Sequence, residues 1–151
     1  MTANAKAPFV WESRVRYLDT DASGRIHYAR LFRHVEDAEH EFMRWIGFSY
    51  REIEKGGLRF PRVRLECHYL APLSYDDVIG VTVVVENVGR SSFTLGFAVC
   101  QGEKMAAKGK VTIVCLDTEA QRSHALPDEL RGALAERVPA FDESFWMSFT
   151  E

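Results

Sequence analysis

The sequence predicts an α+β domain in which a twisted antiparallel sheet wraps around one long central helix. Three observations predict it. One stretch, Tyr28 to Ile46, repeats large apolar residues every three or four positions. Four later stretches alternate apolar and polar residues, the period of half-buried strands. The links between those stretches are short, which favours an antiparallel meander. An apolar helical stripe and several one-sided strands can bury each other, and that fixes the architecture.

Each element has its own local reason. Phe9 to Tyr17 alternates loosely and contains the β-formers Val15 and Tyr17, so it reads as a first strand. Leu18 to His27 is a loop. In the helix, Tyr28, Leu31, Phe32, Val35, Ala38, Phe42, Trp45 and Ile46 form the apolar stripe. Arg33, Glu36, Asp37, Glu41 and Arg44 fill the spaces between them, and Gly47 sits where a C-terminal cap belongs. Ser49 to Lys55 reads as a short second helix stopped by Gly56 and Gly57. Strands follow at Val63–Tyr69, Asp76–Glu86, Ser92–Gln101 and Met105–Leu116, with Gln101–Lys104 as a hairpin turn. Pro127 to Arg137 reads as a last helix with Pro127 near its first turn. The chain reads as a single domain over residues 1–151, with a core from about 9 to 138. Residues 139–151 form an apolar tail carrying Phe141, Phe145, Trp146, Met147 and Phe149, which should dock on its own or a partner subunit.

The totals narrow the function classes. A chain of 151 residues can bury a sizeable core. A formal net charge of -3 argues against a general nucleic-acid binder. Cys67, Cys100 and Cys115 are odd in number and widely spaced, which suits free thiols in a reducing compartment. Met1 to Pro8 lack the apolar core of a signal peptide, and no apolar run reaches membrane-spanning length. The expectation is a cytoplasmic protein with no membrane partner. His34, His40, His68 and His124 have no metal-ligand spacing, so no metal site is expected. There is no Gly-x-Ser-x-Gly elbow, P-loop or dinucleotide fingerprint.

Chemistry concentrates in Tyr17-Leu-Asp-Thr-Asp-Ala-Ser-Gly-Arg-Ile-His-Tyr28. Asp21 stands just ahead of the predicted helix, whose first N–H groups lack partners. A carboxylate can attack a carbonyl or activate water, and a nearby amide can hold an oxyanion. An Asx turn or helix cap would use the same aspartate without chemistry. Gly24 serves a turn in either case. His27 can act in acid–base catalysis or simply occupy the loop. Asp19 is given mainly a structural role. Glu36, Glu39 and Glu41 read as solvent-facing or ion-paired.

The ordered set of motifs resembles the 4-hydroxybenzoyl-CoA thioesterase family, whose fold is the hotdog. Asp19-Thr-Asp21, Gly24 and Tyr28 are similar to its acidic loop, glycine and helix-opening residue. Phe32 to Glu36 resembles its helical continuation, and Pro61 to Pro72 the strand that runs back past the site. Ser74-Tyr75-Asp76-Asp77 resembles its acidic turn, and Leu126-Pro127 the end of its last strand region. Arg90-Ser91-Ser92-Phe93 resembles a turn associated with coenzyme A. The likeness spans roughly residues 10 to 130. Many members carry histidine where this chain has Tyr28, and asparagine and tyrosine where it has Arg30 and Leu31.

The resemblance implies an acyl-CoA thioesterase without a cofactor, coenzyme A being part of the substrate. It gives Asp21 the role of nucleophile or general base, and the Tyr28 N–H that of oxyanion donor. His27 and Gly24 complete the site. Arg90, Ser91, Ser92 and Arg122 become candidates for the coenzyme A phosphates, set against the plain reading of a polar hairpin. It further implies a homodimer or homotetramer, since joining sheets covers an exposed edge. A non-catalytic acyl-CoA-binding module and a hotdog hydratase or dehydratase are the rival readings.

Overall fold

The computed structural model describes residues 8–138, so the apolar tail at 139–151 lies outside the described residues. β1 (Phe9–Arg14) is followed by a 3-10 turn at Tyr17–Asp19, then α1 (Leu31–Trp45) and α2 (Tyr50–Ile53). β2 (Leu58–Arg59), β3 (Arg62–Tyr69), β4 (Val78–Val88), β5 (Ser92–Gln101) and β6 (Lys104–Val114) come next. β7 (Leu116–Asp117), β8 (Arg122–Ser123) and α3 (Asp128–Ala135) complete the order.

The main sheet runs β1-β4-β5-β6-β3, antiparallel throughout. β4, β5 and β6 form the expected meander. β3 does not neighbour β4; it pairs with β6 and becomes an edge strand, with β1 at the opposite edge. β2, β7 and β8 form a small second sheet.

The strand faces behave as their alternation requires. Ile79, Val81, Val83 and Val85 on β4 are buried with Phe93, Leu95, Phe97 and Val99 on β5 and Val111 and Ile113 on β6. Against them α1 lays Leu31, Val35, Ala38, Phe42 and Met43. Fully burying side chains of this size contributes about 1.5–3 kcal/mol each. Gly109 lets β3 and β6 meet, because a Cβ there would lie 2.0 Å from the Glu66 carbonyl oxygen.

Three sequence expectations change at the element ends. β1 stops at Arg14, because the Val15 and Asp76 amides bond instead to the Asp77 and Val15 carbonyls of the opposite segment. α1 starts at Leu31, and Tyr28 lies in the turn before it with its side chain 68% exposed, not in the buried stripe. Pro127 is the N-cap of α3. The buried face of α1 also carries two polar residues, His34 and Glu39.

Candidate active site

The acidic turn is tied down at every step. The Asp21 N–H donates to the Arg25 carbonyl (2.9 Å), and the Gly24 N–H donates to the Asp21 carbonyl (3.0 Å). Gly24 has φ +79°, a left-handed conformation that glycine adopts without strain. The Ile26 N–H donates to the Leu73 carbonyl, and Arg25 bridges Ser74, so the loop is stitched to the segment leading into β4.

The two aspartates part ways here. Asp19 is buried. Its carboxylate accepts from the Arg16 N–H (2.7 Å), from Arg33 Nη2 (2.9 Å) and Nε (3.2 Å), and lies 2.9 Å from His34 Nε2. Ser13 Oγ lies 2.6 Å from His34 Nδ1. A neutral imidazole satisfies both contacts when Nε2–H donates to Asp19 and the Ser13 hydroxyl donates to Nδ1. Burial works against the Asp19 charge, but Arg33, the Arg16 amide and His34 outweigh it and hold the carboxyl at about 2. Burial lowers the His34 pKa, against the pull of Asp19. His34 is fully buried, so this serine–histidine–aspartate chain holds the loop from below, out of reach of a substrate. The Asp19 carbonyl in turn accepts the His27 N–H (2.7 Å).

Asp21 is exposed. Its Oδ1 accepts from the Ser23 hydroxyl (2.5 Å) and the Ser23 N–H (2.8 Å), an Asx turn. These bonds hold the carboxyl below its ordinary range, hydroxyl first. Asp21 therefore stays ionised. It lines a cleft of about 370 Å³ with Ser23, Arg25, Ile26, Tyr69 and the 70–73 segment.

Three residues farther on, the chain makes one more turn before α1. The His27 carbonyl accepts the Arg30 N–H (2.9 Å), and His27 Nδ1 accepts the Ala29 N–H (3.1 Å). The His27 and Tyr28 rings stack 4.4 Å apart. The Tyr28 carbonyl accepts the Tyr69 hydroxyl (2.5 Å). The Tyr28 N–H finds no protein acceptor among the described residues. The donor expected at the helix N-terminus thus belongs to the preceding turn.

The coenzyme A candidates sit elsewhere. Arg90 and Ser91 lie in the link between β4 and β5, and Ser92 opens β5. The Arg90 carbonyl accepts from the Leu126 N–H and from Arg131, and the Ser91 carbonyl accepts the Cys115 N–H. Arg122 lies on β8, opposite Asp117. The Arg90 turn leaves β4 at the end far from the segment to which the Asp21 loop is stitched, and β4 with its 11 residues spans roughly 33 Å at the usual strand rise. One chain does not bring the two sets together.

A second cavity of about 260 Å³ opens between α1, β3 and β6, lined by Phe32, Val35, Glu36, Glu39, Arg62, Leu65 and Val111. Glu39 is buried and ion-paired with Arg62. Burial raises the Glu39 pKa, and Arg62 opposes it. Phe32 packs against the core and also lines this cavity. Of the two readings the sequence offered for Glu39, solvent-facing or ion-paired, the structure shows the second, but with the side chain buried. The available signal was a carboxylate four residues after Val35, on the apolar stripe.

An antiparallel sheet with one long helix packed against it is the hotdog architecture. The description "Thioesterase-like superfamily" matches residues 15–134. A 1,4-dihydroxy-2-naphthoyl-CoA hydrolase of Synechococcus sp. is 31% identical over 129 residues, covering 81% of this chain and 87% of that one. An acyl-CoA thioesterase, YbgC of Haemophilus influenzae, is 28% identical over 126 residues, covering 83% and 93%. The crystal structure of a hypothetical protein from Aquifex aeolicus superposes with a TM-score of 0.79 at 31% identity, covering 84% of this chain and 99% of that one. The chain belongs to the thioesterase-like superfamily, and its activity class is acyl-CoA thioester hydrolysis. Among the described residues, no helix is long and apolar enough to cross a membrane, and no group of three His, Cys, Asp or Glu could hold a metal ion.

Proposed function

We propose that the chain hydrolyses an acyl- or aryl-CoA thioester, with Asp21 as nucleophile or general base and the Tyr28 N–H as oxyanion donor. One observation carries this reading: an ionised, exposed carboxylate on a cleft wall and an unpaired backbone donor seven residues on, both held by hydrogen bonds. In the reaction, the oxygen of water or of Asp21 adds to the thioester carbon. The oxyanion collapses, the C–S bond breaks, and coenzyme A leaves as its thiolate, which takes a proton from Asp21 where that carboxylate has deprotonated the water, or from solvent where Asp21 itself attacks. An Asp21 anhydride, if formed, is then opened by water. The sequence of steps needs no metal and no redox cofactor. The acyl group is aromatic or aliphatic, as the relatives' names suggest.

The working unit is a dimer built on the free edge of β3. Val63 and Leu65 are 60% and 50% exposed on that edge. Two copies of β3 paired antiparallel would set the Arg62 end of one beside the Tyr69 end of the other. That pairing brings the partner's cavity and Arg90–Ser92 turn toward the Asp21 cleft, which a single chain leaves far apart.

The test is free-thiol release from a panel of aryl and aliphatic acyl-CoAs, native protein against Asp21→Asn. The expected result is a fall of about 10²–10⁴-fold in kcat with fold and assembly intact. Undiminished turnover in the variant would move the carboxylate elsewhere. Binding of every CoA ester without turnover of any would replace catalysis by a binding module.

A further inference from the structure

The turn from His27 to Ala29 has an unusual hydrogen-bond account. The peptide from Ile26 to His27 is fixed through its N–H by the Asp19 carbonyl. The peptide from His27 to Tyr28 is fixed through its carbonyl by the Arg30 N–H. The peptide from Tyr28 to Ala29 is fixed at both ends, its N–H by His27 Nδ1 and its carbonyl by the Tyr69 hydroxyl. The Tyr28 N–H is the one donor of this turn left over.

Three of these four partners are local or come from the Asp19 loop. The fourth, Tyr69, reaches across from β3, 41 residues away, and also lines the cleft that holds Asp21. We propose that Tyr69 is a positioning residue: its hydroxyl locks the Tyr28–Ala29 peptide so that the adjacent Tyr28 N–H stays aimed at the reacting oxyanion. The inference rests on the thioesterase reading above. A fixed dipole stabilises developing charge without reorganising, whereas a turn that rocks must first be ordered. With Nδ1 accepting from the Ala29 N–H, a neutral His27 carries its proton on Nε2. Burial pushes the Tyr69 phenol up to about 12, so it remains a donor through the working pH range.

Tyr69→Phe removes one oxygen and keeps the ring. It should lower kcat about tenfold, the equivalent of one net hydrogen bond, with KM, thermal midpoint and oligomeric state unchanged. Tyr75→Phe serves as control: Tyr75 is 56% exposed, packs edge-on against Tyr17, and should keep native kcat. Native kcat in Tyr69→Phe overturns the inference, as does an equal fall in Tyr75→Phe. A raised KM with kcat preserved would make Tyr69 a substrate-binding group and overturn it as well. A kcat loss matched by a lowered thermal midpoint would assign the hydroxyl to the fold alone. Native protein that turns over no CoA ester removes the thioesterase reading and this inference with it. Active native protein with an active Tyr69→Phe removes only the latter.

Discussion

Replacing Asp19 by asparagine isolates the charge that holds the acidic loop. The side chain is 3% exposed, and the substitution keeps an oxygen for the Arg16 amide while leaving Arg33 without its buried anion. Asp19 titrates at about 2 where an ordinary aspartate titrates at 3.8, which corresponds to about 2 kcal/mol of folding stability. The folded value lies below the unfolded one. The contribution is therefore complete above 3.8 and disappears as pH falls through about 2. By the same linkage it is roughly halved at pH 3. At pH 7 the variant should be less stable by about 2 kcal/mol, or about 4–8 °C for a chain of this size. The assay is urea unfolding of both proteins at pH 7, 5, 4 and 3. A gap below about 0.5 kcal/mol at neutral pH would refute the ionic account, being no larger than an ordinary surface change. A gap as large at pH 3 as at pH 7 would refute it too, because the loss would then come from shape and not from charge.

Two further outcomes follow from the sheet. Gly109→Ala places a Cβ 2.0 Å from the Glu66 carbonyl oxygen and 2.6 Å from Phe97 Cζ, so β3 must part from β6. It should cost about 3 kcal/mol or more, read as a lowered urea midpoint, and an unmoved midpoint would contradict the contact. Leu65→Lys puts a charge on the free edge where a second copy would pair, a common device against edge association. Sedimentation should show a monomer, and thioester turnover should fall with it; a dimer with full activity would remove β3 from the assembly.

How much of this was legible depends on whether the governing contact is local. The stripe of α1 is local: Leu31, Val35, Ala38 and Phe42 repeat with the helical period, and nothing else needs to be known. The same holds for β4, β5 and β6, whose faces alternate and whose hairpins are short. The place of β3 is not local. The short link from Tyr69 to Val78 looks like a hairpin connection, yet the strand pairs with β6, because Gly109 admits it there. Tyr28 fits the stripe by spacing, but the Tyr69 hydroxyl on its carbonyl and the Ala29 N–H on His27 Nδ1 hold this segment in a turn instead. The structural role of Asp19 was legible, but its cause was not: Arg33 and His34 fold back on it from α1 and leave Asp21 in water. The Arg90 turn was legible as a polar hairpin; its distance from Asp21 was not, since distance along a sheet is set by strand pairing.

Under the proposed mechanism the same contrast divides the work between the two acids. A carboxylate serves best as a base when its pKa approaches the working pH. In the open chain Asp21 is pushed the other way, because the Ser23 hydroxyl and amide favour its charge. That arrangement guarantees a carboxylate ready for attack and makes it a weak base. Seating a thioester over the cleft, with a second copy against β3, removes water from Asp21, and desolvation raises a carboxylate. The group would thus gain basicity and nucleophilicity as the substrate arrives. Asp19 cannot respond in this way: it is already desolvated, and Arg33 holds its charge whether or not the cleft is filled. Two residues apart, one aspartate supplies a fixed anchor and the other a charge whose strength depends on being covered.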